Sequence, residues 1–351
     1  MNAPVPTRAA RLAAIGAEVR IEPYAAGQGL PLFITPLAPE LRDDLDAAAG
    51  WVRERQAAFD ELLCEAGAVV LRGFAFRDTA GFSRAVEHYP EPAFGYLGGA
   101  TPRAHIAGRA FEATRVPPEA KLPFHQEMAY LPTYPSKLAF FCNHAPATGG
   151  ETLIGDVRRF EAALPRRFRD EIRARGVRYL RNFRDPAWST GDAAADAVHR
   201  PWPEAFSTED PSAAEASCRS MGLDFRWEAN GSLSVIHLAP GFVTHPRTGR
   251  EIWFNQIPSQ APNVRNLGPE RLALYRQVYD ATGATRPYTA TYGDGAAFDP
   301  DDLAAIYPIL DEIEVAFPWR NGDLMLLDNF HVFHGRNPFT GHRDVQVALL
   351  G

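Results

Sequence analysis

The C-terminal half of the chain is written as short apolar runs cut at close intervals by turn residues. SLSVIHLAPGFVTHPRTGREIWFNQI (232–257) reads as a strand, a hairpin around Pro246–Gly249 and a second strand. DEIEVAFPWRNGDLMLLDN (311–329) reads as a strand, an Asn321-Gly322 turn and another strand, and DVQVALL (344–350) as a closing strand. Upstream, AVVLRGF (68–74), KLAFFCNHA (137–145), ETLIGD (151–156) and VRYLRNF (177–183) carry the same signature. Helical periodicity is confined to 41–67, 157–176 and 269–283, with Gly67 placed as a C-terminal cap. Regular strand–helix alternation, which a parallel α/β sheet requires, is missing. The expected fold is therefore mainly β with flanking helices, a sandwich or jelly roll.

No repeat or linker divides the 351 residues, so we expect one catalytic domain over 1–351, with a helical/β extension (about 1–66) packed on its core. The net charge of −7 argues against a general nucleic-acid or anionic-membrane binder. No apolar run approaches the length of a membrane-spanning helix, and the N-terminus lacks the apolar core of a secretory signal. Cys64, Cys142 and Cys218 are odd in number and scattered, which fits neither a disulfide framework nor a cysteine zinc site and suits a reducing cytoplasm.

PFHQEMAY (123–130) puts a histidine and a glutamate two positions apart. If 124–128 is extended, His125 and Glu127 project from one face and can share a metal ion. A third ligand is available from DNFHVFHGRNPF (328–339), as His331 or His334. These two lie three apart, so on a strand they face opposite sides and only one can join. Two histidines and a carboxylate leave adjacent positions open on octahedral Fe(II) for a bidentate cosubstrate and O2. The same set suits a zinc hydrolase, and an isolated HxE triplet also fits a structural histidine in a metal-free binding module on a similar β scaffold.

Six segments in order carry a resemblance: GAVVLRGF (67–74), GGATPR (98–103), FHQEMAY (124–130), GGET (149–152), HPRTGREIWFNQ (245–256) and DNFHVFHGRNPFTGHR (328–343). Together they resemble the TauD/TfdA family of Fe(II)/2-oxoglutarate oxygenases, nearest the branch of SyrP-like and clavaminate-synthase-like hydroxylases. The resemblance implies a distorted jelly roll (double-stranded β-helix) and a need for Fe(II), 2-oxoglutarate and O2. It implies His125, Glu127 and His334 as metal ligands, leaving His331 a structural role. It also implies that Thr152 and Arg343 hold 2-oxoglutarate, the arginine because its planar fork matches a carboxylate. Arg336 has no assigned role. Related halogenases carry a small residue where Glu127 stands, so oxygen transfer is implied, typically hydroxylation of an amino-acid-type substrate in specialised metabolism such as antibiotic biosynthesis.

Substrate contacts are expected from Arg103, from Tyr130 at the start of a possible lid, LPTYPSK, and from Asn255, which reads equally as a buried hydrogen-bonding residue. Trp253 and Phe254 read as core. The segment 158–184 holds ten arginines against Glu161, Asp170 and Glu171. It is either a solvated face with local salt bridges or a docking patch for an acidic carrier protein bearing an aminoacyl substrate.

Overall fold

The structure is a computed structural model that describes residues 8–25, 29–93, 96–99, 103–113, 116–189, 196, 199–260, 264–280 and 285–351. Leu324–Asp328, buried at every position, lies near the middle of an eight-stranded sheet. It pairs antiparallel with Ala68–Leu71 on one side and Lys137–His144 on the other. Asp344–Leu350 continues the sheet beyond Lys137–His144, and the strands Val19–Pro23 and Leu32–Pro36 extend its other edge. Runs buried on both faces read as continuous apolar sequence, which is why LMLLD and AVVL show no alternation.

A three-stranded sheet places Val332–Arg336 between Leu122–His125 and Thr152–Asp156. A four-stranded sheet contains Asp224–Trp227, Leu233–Ala239, Val177–Phe183 and Tyr288–Tyr292. The result is the strand-rich, helix-flanked jelly-roll-type architecture expected. One buried cluster lies around the three- and four-stranded sheets. A second, built on Trp51, Phe59, Phe74, Phe82 and Phe141, packs helices Leu45–Glu54 and Gln56–Ala66 against the outer face of the large sheet.

Several local expectations change. The 41–67 helix is three pieces: Pro39–Asp43, then Leu45–Glu54 capped by the Asp44 side chain, then Gln56–Ala66, which ends at Gly67 as expected. The 157–176 helix breaks at Pro165 into Val157–Ala163 and Arg166–Arg175, because proline lacks the N–H and restricts the residue before it. The 311–320 segment is not a strand. Residues 311–313 finish the helix Pro300–Ile313, and Val315 makes only an isolated bridge to Ile154. Among the described residues no helix is long and apolar enough to cross a membrane, and the three cysteines are free.

Candidate metal centre

His125 closes the Leu122–His125 strand and sits directly opposite His334 on Val332–Arg336. Cross-strand partners share a face, and the two imidazole centroids are 4.2 Å apart. Gly335 permits this approach: a Cβ there would come within 2.6 Å of the Leu122 carbonyl oxygen. Glu127 is not on the strand, contrary to the extended reading of 124–128. The strand ends at His125 and the chain enters a turn, with Met128 at φ 59°.

The turn still delivers Glu127 because buried amides pin it. Asn329 accepts from the Glu127 N–H through Oδ1 (2.7 Å) and donates through Nδ2 to the Glu127 carbonyl (3.0 Å). Gln126 donates to the carbonyls of Trp253 and Phe330, and its own carbonyl accepts from Gln256 Nε2 (2.6 Å). Gln126, Asn329 and Gln256 were missed from the sequence. The available signal was amides standing inside otherwise apolar segments, since a buried amide needs partners.

The ligand atoms converge. Glu127 Oε2 lies 3.3 Å from His334 Nε2 and 3.9 Å from His125 Nε2. These three side chains form one of two clusters among the described residues compact enough to hold a metal ion. His125 Nδ1 bonds the Pro123 carbonyl at 2.9 Å, which fixes the tautomer and leaves the Nε2 lone pair facing Glu127. Burial, reinforced by His334, lowers the His125 pKa to about 3, so the ring is neutral at physiological pH. Burial alone would raise the Glu127 carboxyl. The Arg103 guanidinium, the hydrogen bond from His334 and the two imidazoles outweigh it and hold the group well below the usual carboxylate range. Two imidazoles and one carboxylate, buried and aimed at one point, fit a divalent ion.

His331 is elsewhere, in the turn that precedes Val332–Arg336. It stacks on His245 (centroids 4.4 Å, 13° between planes) and lies beside Asp328.

The 2-oxoglutarate expectation falls on the same wall. Thr152 is opposite Arg336, two positions from the Ile154–His334 pair, so it faces the same side. Its Oγ1 accepts from Trp319 Nε1 at 3.2 Å. Arg343 donates from Nε to the Gly150 carbonyl (2.9 Å), while both of its Nη nitrogens lack partners among the described residues. Gly150, at φ 70°, leaves the room this needs: a Cβ would sit 3.1 Å from Arg343 Cδ. Burial and the neighbouring Arg336 lower the Arg343 pKa to about 10, so it stays cationic, and it closes no ion pair among the described residues. Arg336 is committed, donating to the carbonyls of Val116, Pro117 and Ala120.

The three substrate expectations fare differently. Arg103 turns onto Glu127, with Nη2 3.1 Å from Oε2 and its guanidinium 4.5 Å from the centroid of Tyr96. Tyr130 is buried in the turn that follows Glu127, and the supposed lid is tied down where Asn329 bonds the Pro135 and Ser136 carbonyls. Asn255 is fully buried and spent on structure. It donates to the Gly241 carbonyl and accepts from the Ile257 N–H, so we withdraw it from the substrate contacts. Trp253 and Phe254 are core, as read.

The basic segment is largely self-neutralised. Arg158, Arg159, Arg166, Arg167, Arg173 and Arg175 each meet a carboxylate, while Arg181 and Arg184 turn inward onto backbone carbonyls.

Residues 33–349 match the taurine catabolism dioxygenase TauD, TfdA family. The chain is 31% identical to a clavaminate synthase-like protein of Arabidopsis thaliana, over 94% of this chain and 92% of that one. It is 33% identical to the dapdiamide synthesis protein DdaC of Enterobacter agglomerans, over 83% and 84%. The solved PvcB protein of Pseudomonas aeruginosa shares the fold at 18% identity and a TM-score of 0.50, over 95% and 91%. A family match across nearly the whole chain selects the oxygenase reading over a zinc hydrolase or a metal-free module. The chain is therefore a member of the TauD/TfdA family of iron- and 2-oxoglutarate-dependent dioxygenases.

Proposed function

We propose that this chain, acting as one catalytic domain, hydroxylates an unactivated C–H bond of an amino-acid-type small molecule in specialised metabolism. His125, Glu127 and His334 hold the Fe(II), and Thr152 and Arg343 anchor 2-oxoglutarate. The observation that carries the reading is three convergent ligand atoms beside an arginine with open Nη donors. The family match and the relatedness to a dapdiamide synthesis protein support it.

When bound, iron with 2-oxoglutarate and O2 supplies the oxidising power for C–H cleavage, releasing succinate and CO2. The chain's own residues prepare the site for this. The Pro123 carbonyl holds the His125 ring in the tautomer that presents Nε2. Arg103 orients the Glu127 carboxylate and keeps it ionised at any working pH. Arg343 offers a bidentate fork to the distal carboxylate of the cosubstrate. Phe140, with its ring 5.5 Å from that of His334, and the surrounding core keep bulk water from the metal face.

The test is succinate release from 2-oxoglutarate with Fe(II) and ascorbate across a panel of L-amino acids, with the product's mass measured. The reading predicts iron-dependent succinate and a gain of one oxygen atom in the product. Turnover supported by zinc, without consumption of 2-oxoglutarate, would overturn it.

A further inference from the structure

A second arginine has no counter-ion. Arg181 lies in the middle of Val177–Phe183 and is 6% exposed, yet it meets no carboxylate among the described residues. Nη1 donates to the Gly98 carbonyl. Nε and Nη2 have no protein partner, and neither is among the fully enclosed orphan atoms. They open into a cleft whose wall is set by sheet register. Arg181 faces Val235 and Tyr179 faces His237 across the Val177–Phe183 and Leu233–Ala239 strands, so the four side chains share one face. Tyr130 and Phe183 complete the surround, with ring centroids 4.5 and 4.7 Å from the guanidinium. Among the described residues no acidic side chain lines this cleft. A buried cation without an anion is costly, and here the nearest titratable neighbours are Tyr130 and another cation, Arg200.

A chain of contacts links the cleft to the metal centre. Tyr130 is three residues past Glu127, in the same turn. The loop that accepts from Arg181 at Gly98 includes Tyr96, whose ring carries Arg103, and Arg103 in turn grips Glu127.

Resting on the function proposed above, we infer that Arg181 binds the carboxylate of the substrate and that the substrate therefore enters as a free acid. A carrier-tethered aminoacyl group has spent its α-carboxylate on the thioester and, unless its side chain is acidic, offers this arginine no anion.

The experiment uses the Fe(II)-loaded full chain and reads succinate release with each of the common L-amino acids, their primary amides and their N-acetylcysteamine thioesters. The free acid that best stimulates turnover is expected to beat its amide and thioester by about 100-fold in kcat/KM, the worth of charge-assisted hydrogen bonds. Arg181→Gln should abolish that preference and Arg181→Lys should restore part of it. The 2-oxoglutarate charge-transfer band of the anaerobic Fe(II) complex reports in each variant that the fold survives. Equal use of amide or thioester, an Arg181→Gln enzyme that still prefers the acid, or a panel in which no acid stimulates turnover would overturn the inference. Absence of both the band and succinate in the wild type would instead sink the oxygenase reading itself.

Discussion

Two clusters of two histidines and one carboxylate lie on opposite faces of the same short stretch, 328–334. In one, His125, Glu127 and His334 direct imidazole Nε2 atoms at a shared carboxylate oxygen. In the other, His245 and His331 stack beside Asp328, with Cys64 close by. Composition does not separate them; the placement of protons does. His245 Nδ1 accepts the N–H groups of Arg247 and Thr248, both at 3.1 Å, so its Nε2 must carry the proton that it donates to Asp328 Oδ2 at 2.9 Å. Asp328 Oδ1 accepts the N–H groups of Phe330 and His331. Three donors hold Asp328 and fasten the turn from which His334 departs, while His331 Nδ1, 3.5 Å from Asp328 Oδ2, makes no hydrogen bond among the described residues. In the first cluster the donor sits on His125 Nδ1, and both Nε2 atoms face the Glu127 carboxylate, to which His334 Nε2 donates at 3.3 Å. The arginines repeat the contrast: Arg336 is spent on three carbonyls, while Arg343 keeps both Nη groups open.

The strongest way to break this comparison is Glu127→Ala. Removing the only anion at the convergence point should reduce iron-dependent succinate formation to background. Next is Asp328→Ala. With His245 Nε2–H and two backbone N–H groups left unpaired in the core, stability should fall by about 3 kcal/mol, read by denaturant unfolding of the metal-free chain. Burial opposes ionisation of Asp328, but the bonds from His245 and His331 hold its carboxyl below the usual range. A depressed carboxyl contributes stability above its unfolded pKa and loses it as pH falls. Asp328→Asn should therefore flatten the acid limb of stability below about pH 4 while leaving neutral pH less affected.

Arg343→Ala should raise the 2-oxoglutarate concentration for half-maximal turnover by about 10- to 100-fold, as loss of a charge-assisted bidentate contact does. Arg336→Ala should leave it within about threefold, because its donors serve the 116–120 loop. Asn329→Ala, which frees the Glu127 backbone, should weaken Fe(II) binding by about tenfold, the usual cost of losing an orienting partner. Arg173→Ala, at an exposed pair with Glu251, should change stability by less than about 0.5 kcal/mol.

Much of this site could be read from the sequence. HxE and HGR are local words; strand parity admitted only one of His331 and His334, and the family resemblance chose His334. The two-residue spacing, however, suggested a continuous strand, whereas Glu127 is aimed by Asn329, about two hundred residues away. Long-range amide clamps leave no periodic trace. Asn255 stayed open between substrate contact and buried hydrogen-bonding residue for the same reason: its partners, Gly241 and Ile257, are recognisable only once the hairpin is folded. Arg181 looked like one more residue of a basic run. Only the sheet register reveals that it turns inward while its neighbours pair at the surface. The break at Pro165 was legible, since proline stood inside the helical pattern; the segment 311–320 was not, because its apolar spacing suits either a strand or the end of a helix.

The central claim is that imidazole Nε2 atoms turned toward one shared carboxylate oxygen, and not residue types, mark the metal centre. Anaerobic Fe(II) titration in the presence of 2-oxoglutarate, following the metal-to-ligand charge-transfer band, tests it on the wild type, His331→Ala and His334→Ala. The account predicts a saturating band at one equivalent of iron in the wild type and in His331→Ala, and no band in His334→Ala. A band that survives in His334→Ala and disappears in a folded His331→Ala would contradict it.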